Sequence, residues 1–96
     1  MAVYIVAQLK FTRREFYDRY QSRFMDVFKK FKGKLLVADA RPVVLEGEWP
    51  HDKIVIMEFP DAAAAQEFQT SPEYQEISVD RKAGAEAIVV MVRGLS

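Results

Sequence analysis

Ninety-six residues, half of them hydrophobic and 12% aromatic, make one domain with a single core, and this composition excludes a disordered chain. Fourteen Lys and Arg balance fourteen Asp and Glu, so the chain lacks the basic excess of a general nucleic-acid binder. The absence of cysteine excludes disulfides, thiolate metal sites and a Cys nucleophile.

The opening MAVYIVAQLK carries no basic leader, and its apolar run is too short for a signal peptide or a membrane span. The expectation is a soluble cytoplasmic protein with no membrane partner. Val3 to Leu9 is rich in β-branched and aromatic residues and reads as a first strand. Its two faces, Val3/Ile5/Ala7/Leu9 and Tyr4/Val6/Gln8, are both largely apolar.

Thr12-Arg13-Arg14-Glu15 has the spacing of a capping box, in which Thr12 and Glu15 satisfy the free N–H groups of a helix start. Phe16, Tyr20, Phe24, Val27, Phe28 and Phe31 then recur at steps of three and four and trace one helical face. Gly33 is placed to end this helix in a left-handed conformation.

Lys34 to Ala38 reads as a second strand, interrupted before Pro42, which cannot donate to a ladder. The chain is expected to resume as a strand over Val43–Trp49, turn through Pro50-His51-Asp52 and return as Lys53–Phe59, a hairpin. Asp61 caps a helix over the alanines that follow. Ser71-Pro72 starts another, with Ser as cap and Pro at the first helical position, and Gly84 closes it. Ile88–Val92 is the last strand, apolar on both faces.

The order strand, helix, strand, strand, helix, strand is the split βαβ, or ferredoxin-like, α+β pattern, one domain over residues 1–96. Right-handed crossovers put the helices on one face of a four-stranded antiparallel sheet. The other face should be polar, yet Tyr4/Val6, Ile54–Met57 and Ile88–Val92 are apolar at both parities. A second copy packed sheet to sheet would bury roughly 1,500 Å² in total and cover that face, so a homodimer is expected.

The segments Val44-Leu45-Glu46-Gly47-Glu48-Trp49, Ile56-Met57-Glu58-Phe59-Pro60, Ser71-Pro72-Glu73-Tyr74-Gln75 and Arg81 with Gly84-Ala85 resemble, in that order, domain-of-unknown-function family 1330. Tyr4, Tyr17 and Tyr20 fit its pattern as well, and the likeness runs through the whole chain. The resemblance implies the dimeric α+β-barrel superfamily, which includes small monooxygenases, lactone isomerases and haem-handling enzymes. It implies no particular reaction.

Glu58 interrupts an apolar strand, where a carboxylate needs a cation or a proton, and Arg81 and Arg41 are its candidate partners. It is either a perturbed acid/base at a pocket or half of a structural ion pair. Glu46 shares a strand face with Glu48 and is the second acid/base candidate; the alternative is a charged, solvated edge strand. Tyr20, Trp49 and Tyr74, with Arg41 or Arg81 as an anion contact, would wall a small, mostly apolar ligand pocket. His51, the single histidine, reads as a solvated turn residue, and no metal site or cofactor is expected. The sheet strands carry no basic, glycine-rich aromatic motif, which argues against RNA binding. The functional reading is a cofactor-independent small-molecule enzyme, monooxygenase- or isomerase-like. The alternative is a non-catalytic ligand-binding or structural homodimer.

Overall fold

The computed structural model describes residues 1–95. Four strands and three helices follow the expected order: β1 (Val3–Phe11), α1 (Arg14–Phe28), β2 (Lys34–Asp39), β3 (Lys53–Phe59), α2 (Ala62–Thr70), α3 (Pro72–Gly84) and β4 (Ala85–Arg93). The strands form one antiparallel sheet in the order β2-β3-β1-β4. This is the ferredoxin-like α+β fold.

The alternation of β1 decides which side is core. Val3, Ile5, Ala7 and Leu9 are buried beneath the helices, together with Met57 and Phe59 of β3. Phe68 of α2 is fully buried at the centre, its ring 4.5 Å from Tyr74, 5.3 Å from Phe28 and 5.7 Å from Phe59. Such clusters gain both from apolar burial and from offset and edge-on ring contacts.

The break at Ser71 is as expected. Asp61 accepts from Ala64 N–H at 2.8 Å to cap α2, and Ser71 accepts from Tyr74 N–H at 3.2 Å to cap α3. Ser71 also donates to the Phe68 carbonyl at 2.8 Å, joining the end of one helix to the start of the next.

Three local expectations are corrected. Thr12 forms no capping box: the N-cap of α1 is Arg13, with no side-chain cap. The N–H groups of Thr12 and Arg13 instead donate to the Gly84 carbonyl at 2.9 and 3.0 Å, so the end of α3 caps the start of α1. Gly33 does not adopt a left-handed conformation; among the described residues only Gly47 has positive φ, at 80°. The missing side chain of Gly33 makes room instead, because a Cβ there would come within 2.6 Å of Phe28 and 2.8 Å of Phe59.

The third correction is larger. Val43–Trp49 is not a strand; β2 itself pairs with β3, and residues 40–52 form the connection. The Asp39 carboxylate accepts from Arg41 N–H at 2.8 Å, an Asx turn that carries the chain off the sheet edge just before Pro42. Asp52 ties the far end down, its N–H donating to Leu9 O at 2.7 Å and its carboxylate accepting from Phe11 N–H at 2.8 Å. Between these anchors Val43 and Leu45 are 83% and 91% exposed. Their apolar pattern imitates a strand without a ladder to join.

The sheet's other side is open. Val6 is flanked by Ile56 and Val90, and Tyr4 by Glu58 and Val92. On β4, Ile88, Val90 and Val92 are all exposed.

Candidate functional site

The core leaves a cavity of about 270 Å³ between the sheet and helices α1 and α3. Ile5 and Leu9 of β1, Val55 and Met57 of β3 and Phe24 of α1 supply apolar walls. The polar lining is Tyr17, Tyr20 and Gln21 from α1, Lys53 from β3, Gln69 from α2, and Tyr74 and Arg81 from α3. A small apolar chamber with a few convergent polar groups is the usual form of a small-molecule site.

Each polar group reaches the chamber by simple periodicity. On α3, Tyr74, Ile77, Ser78 and Arg81 are spaced three, four and seven residues apart and share the buried stripe. On α1, Tyr17, Tyr20, Phe24, Val27 and Phe28 do the same. Lys53 has the parity of Met57 and Phe59, so it enters β3 facing the helices.

Tyr20 and Tyr74 meet hydroxyl to hydroxyl at 3.1 Å. Burial, then the neighbouring Tyr74 phenol, push the Tyr20 hydroxyl well above its ordinary range. Burial likewise raises Tyr17 to about 12. Both phenols therefore stay protonated in any physiological medium, and Arg81 acts on both in the opposite sense. Burial lowers the proton affinity of Lys53, whose ammonium donates to Gln21 Oε1 at 2.9 Å. Arg81 is only 8% exposed, and its Nε–H has no acceptor among the described residues.

The residues singled out in the sequence divide into three places. Tyr20, Tyr74 and Arg81 come together in the cavity. Glu58 lies on the opposite face of the sheet, because Met57 and Phe59 on either side of it face the helices. Its carboxylate accepts from the Tyr4 hydroxyl at 3.1 Å, and no ion pair among the described residues joins it to Arg81 or Arg41. That contact raises the Tyr4 hydroxyl above its usual value. Arg41 and Glu46 stand exposed on the 40–52 connection, and Trp49 is half-buried there against His51, with ring centroids 5.7 Å apart. His51 is not a solvated turn residue: its Nδ1 is buried and has no partner among the described residues. Lys53, Tyr17, Gln21 and Gln69 were not anticipated. The signal for Lys53 was present, a cation at the core parity of a strand.

No group of three or more His, Cys, Asp and Glu among the described residues is arranged to hold a metal. No described helix is long and apolar enough to cross a membrane.

With the fold and cavity described, the relationships are clear. Residues 2–95 match the family model "Domain of unknown function (DUF1330)", and the chain belongs to that family. No curated protein matches it. Among solved structures it is similar to RPA0582 from Rhodopseudomonas palustris, a protein of unknown function, at 21% identity and TM-score 0.81, covering 99% of this chain and 83% of that one. A dimeric ferredoxin-like protein of unknown function from Jannaschia sp. CCS1 is 13% identical at TM-score 0.74, covering 98% and 100%. SnoaB from Streptomyces nogalater, a cofactor-independent oxygenase, is 11% identical at TM-score 0.71, covering 99% and 94%. At these identities the likeness is one of fold.

Proposed function

We propose that this protein is a homodimer in which each subunit takes a small, largely apolar organic molecule into the cavity between sheet and helices and transforms it without a cofactor. The cavity itself carries this reading: a chamber of about 270 Å³ whose apolar walls are punctuated by Tyr20, Lys53, Tyr74 and Arg81. Support for the chemistry comes from SnoaB, a cofactor-independent oxygenase built on the same fold. Support for the dimer comes from the exposed Ile88, Val90 and Val92 on the open face and from the Jannaschia neighbour, described as dimeric.

In this proposal Tyr20, Tyr74 and Arg81 contact the ligand. Glu58 and Glu46 stand outside the cavity, on the open face and the 40–52 connection respectively, so an acid/base role for either would require a ligand bound there instead. A second reading, a ligand-binding dimer without turnover, is favoured by one observation: among the described residues no carboxylate or histidine lines the cavity.

Native mass spectrometry of the protein purified from its own cells tests the proposal. A dimer carrying an added organic mass on each subunit is expected. A monomer at micromolar concentration refutes the dimer, and a protein that binds nothing from an extract refutes the cavity reading. Turnover of the bound compound by Glu58→Gln removes Glu58 from the chemistry, whereas binding with no turnover by the unaltered protein selects the second reading.

A further inference from the structure

We infer that Arg81 and Lys53 form an anion subsite, and that the cavity's ligand is a small apolar acid, a carboxylate or an ionised phenol or enol. The inference rests on the cavity reading above and adds the ligand's charge to it.

The two cations lie in the same chamber, and each is 8% exposed. A buried charge is normally paired, because desolvation costs more than packing returns. Arg81 has no such pair. It takes part in no ion pair among the described residues, and its Nε–H points at no acceptor. Among the described residues Lys53 has neutral partners, the amide of Gln21 at 2.9 Å and the face of the Tyr17 ring, 5.1 Å from its centroid.

Charged neighbours do not settle the account. Arg14 and Asp18 of α1 act on Lys53 in opposite senses, and they also pair with each other at 3.4 Å. The remaining polar lining is phenol and amide. The chamber therefore presents two cationic donors without a protein anion among the described residues, surrounded by aromatic and aliphatic walls. The Tyr20–Tyr74 pair adds a third donor, since two hydroxyls bonded to each other at 3.1 Å use one proton and leave the other free. An acid group held there would be bound by charge-assisted hydrogen bonds in a water-poor setting, while its apolar body filled the rest of the chamber.

Matched ligand pairs test this by calorimetry on the intact protein. The probes are 1-naphthoate beside 1-naphthamide, and 2-naphthol beside 2-methoxynaphthalene, with methyl NMR shifts of Met57 locating them in the cavity. The expected result is an acid bound at least about tenfold more tightly than its neutral partner, equivalent to about 1.4 kcal/mol. Arg81→Met should abolish that preference and Lys53→Met should reduce it. A preference in the carboxylate pair identifies a carboxylic acid; one in the naphthol pair, with the absorbance of the bound phenolate, identifies an ionised phenol or enol. Equal affinities within both pairs overturn the anion subsite and leave the cavity reading intact. Failure of all four probes to bind overturns both. Should Arg81→Met not fold, the ratios for the unaltered protein and for Lys53→Met decide alone.

Discussion

Replacing Arg81 by Met should make the empty protein more stable. The guanidinium is 8% exposed, and its Nε–H has no acceptor among the described residues. A buried donor left unsatisfied costs about 1–3 kcal/mol, and exchanging buried ionic groups for apolar side chains of similar volume has stabilised proteins by about 1–4 kcal/mol. One donor, the Nε–H, is unsatisfied, so the lower end applies and a gain of about 1–2 kcal/mol is expected. For a domain of this size that is a rise in Tm of roughly 5–15 °C. The assay is urea and thermal denaturation of both proteins at one fixed concentration, since the stability of a dimer depends on concentration. Saturating 1-naphthoate should reverse the order, because only the unaltered protein gains from the acid. A loss of more than about 1 kcal/mol on substitution would refute the reasoning, since it would mean that Arg81 is held by structural partners whose removal exposes a cost.

Gly84→Ala should destabilise the fold by about 2 kcal/mol. Its Cβ would run into the Tyr17 amide nitrogen and approach Arg13 O at 2.7 Å, and the overpacking cost exceeds the roughly 1 kcal/mol of helix propensity gained; chemical denaturation checks it. Tyr20→Phe should cost about 1 kcal/mol in the same assay by leaving the Tyr74 hydroxyl without its 3.1 Å partner. Alkaline titration has a definite sign. Folding raises Tyr17 from 10.0 to about 12 and Tyr20 further still, so the native state binds more protons than the unfolded chain, and their contribution to stability is lost as pH climbs from 10.0 through about 12. Lys53, lowered from 10.5, works the other way: its contribution rises with pH up to 10.5. With these two phenols against one amine, the tyrosinate absorbance of Tyr17 and Tyr20 at high pH should appear together with unfolding. An early, reversible rise from Tyr17 and Tyr20 in the folded protein would contradict this. Val90→Glu, on the open face beside Val6, should convert the proposed dimer to monomer in a sedimentation experiment.

Much of this was legible from the residues. The order of elements is legible, and Tyr74, Ile77 and Arg81 at helical spacing trace the buried stripe of α3, although both faces of Val3–Leu9 are largely apolar and leave the core side of β1 open. Two things were not legible, for different reasons. Val43–Leu45 has the composition of a strand, but strand formation needs a partner ladder; the Asx turn at Asp39 and the anchoring of Asp52 leave the segment none. The partner of Glu58 depends on which neighbour lies opposite in the sheet. Register places Tyr4 and Lys34 there, and no local pattern announces it. In projection Phe16 fits the stripe as well as Tyr17 does, yet Phe16 lies at its edge, with the guanidinium carbons of Arg13 and Arg19 4.6 and 4.9 Å from its ring.

The most direct test of the account is a crystal structure of the protein with 1-naphthoate. The account predicts a naphthyl ring between Phe24 and Met57, with its carboxylate within hydrogen-bond distance of Arg81 Nε and Lys53 Nζ. A ligand on the open sheet face beside Glu58, or one in the cavity with its carboxylate turned away from both cations, would contradict it.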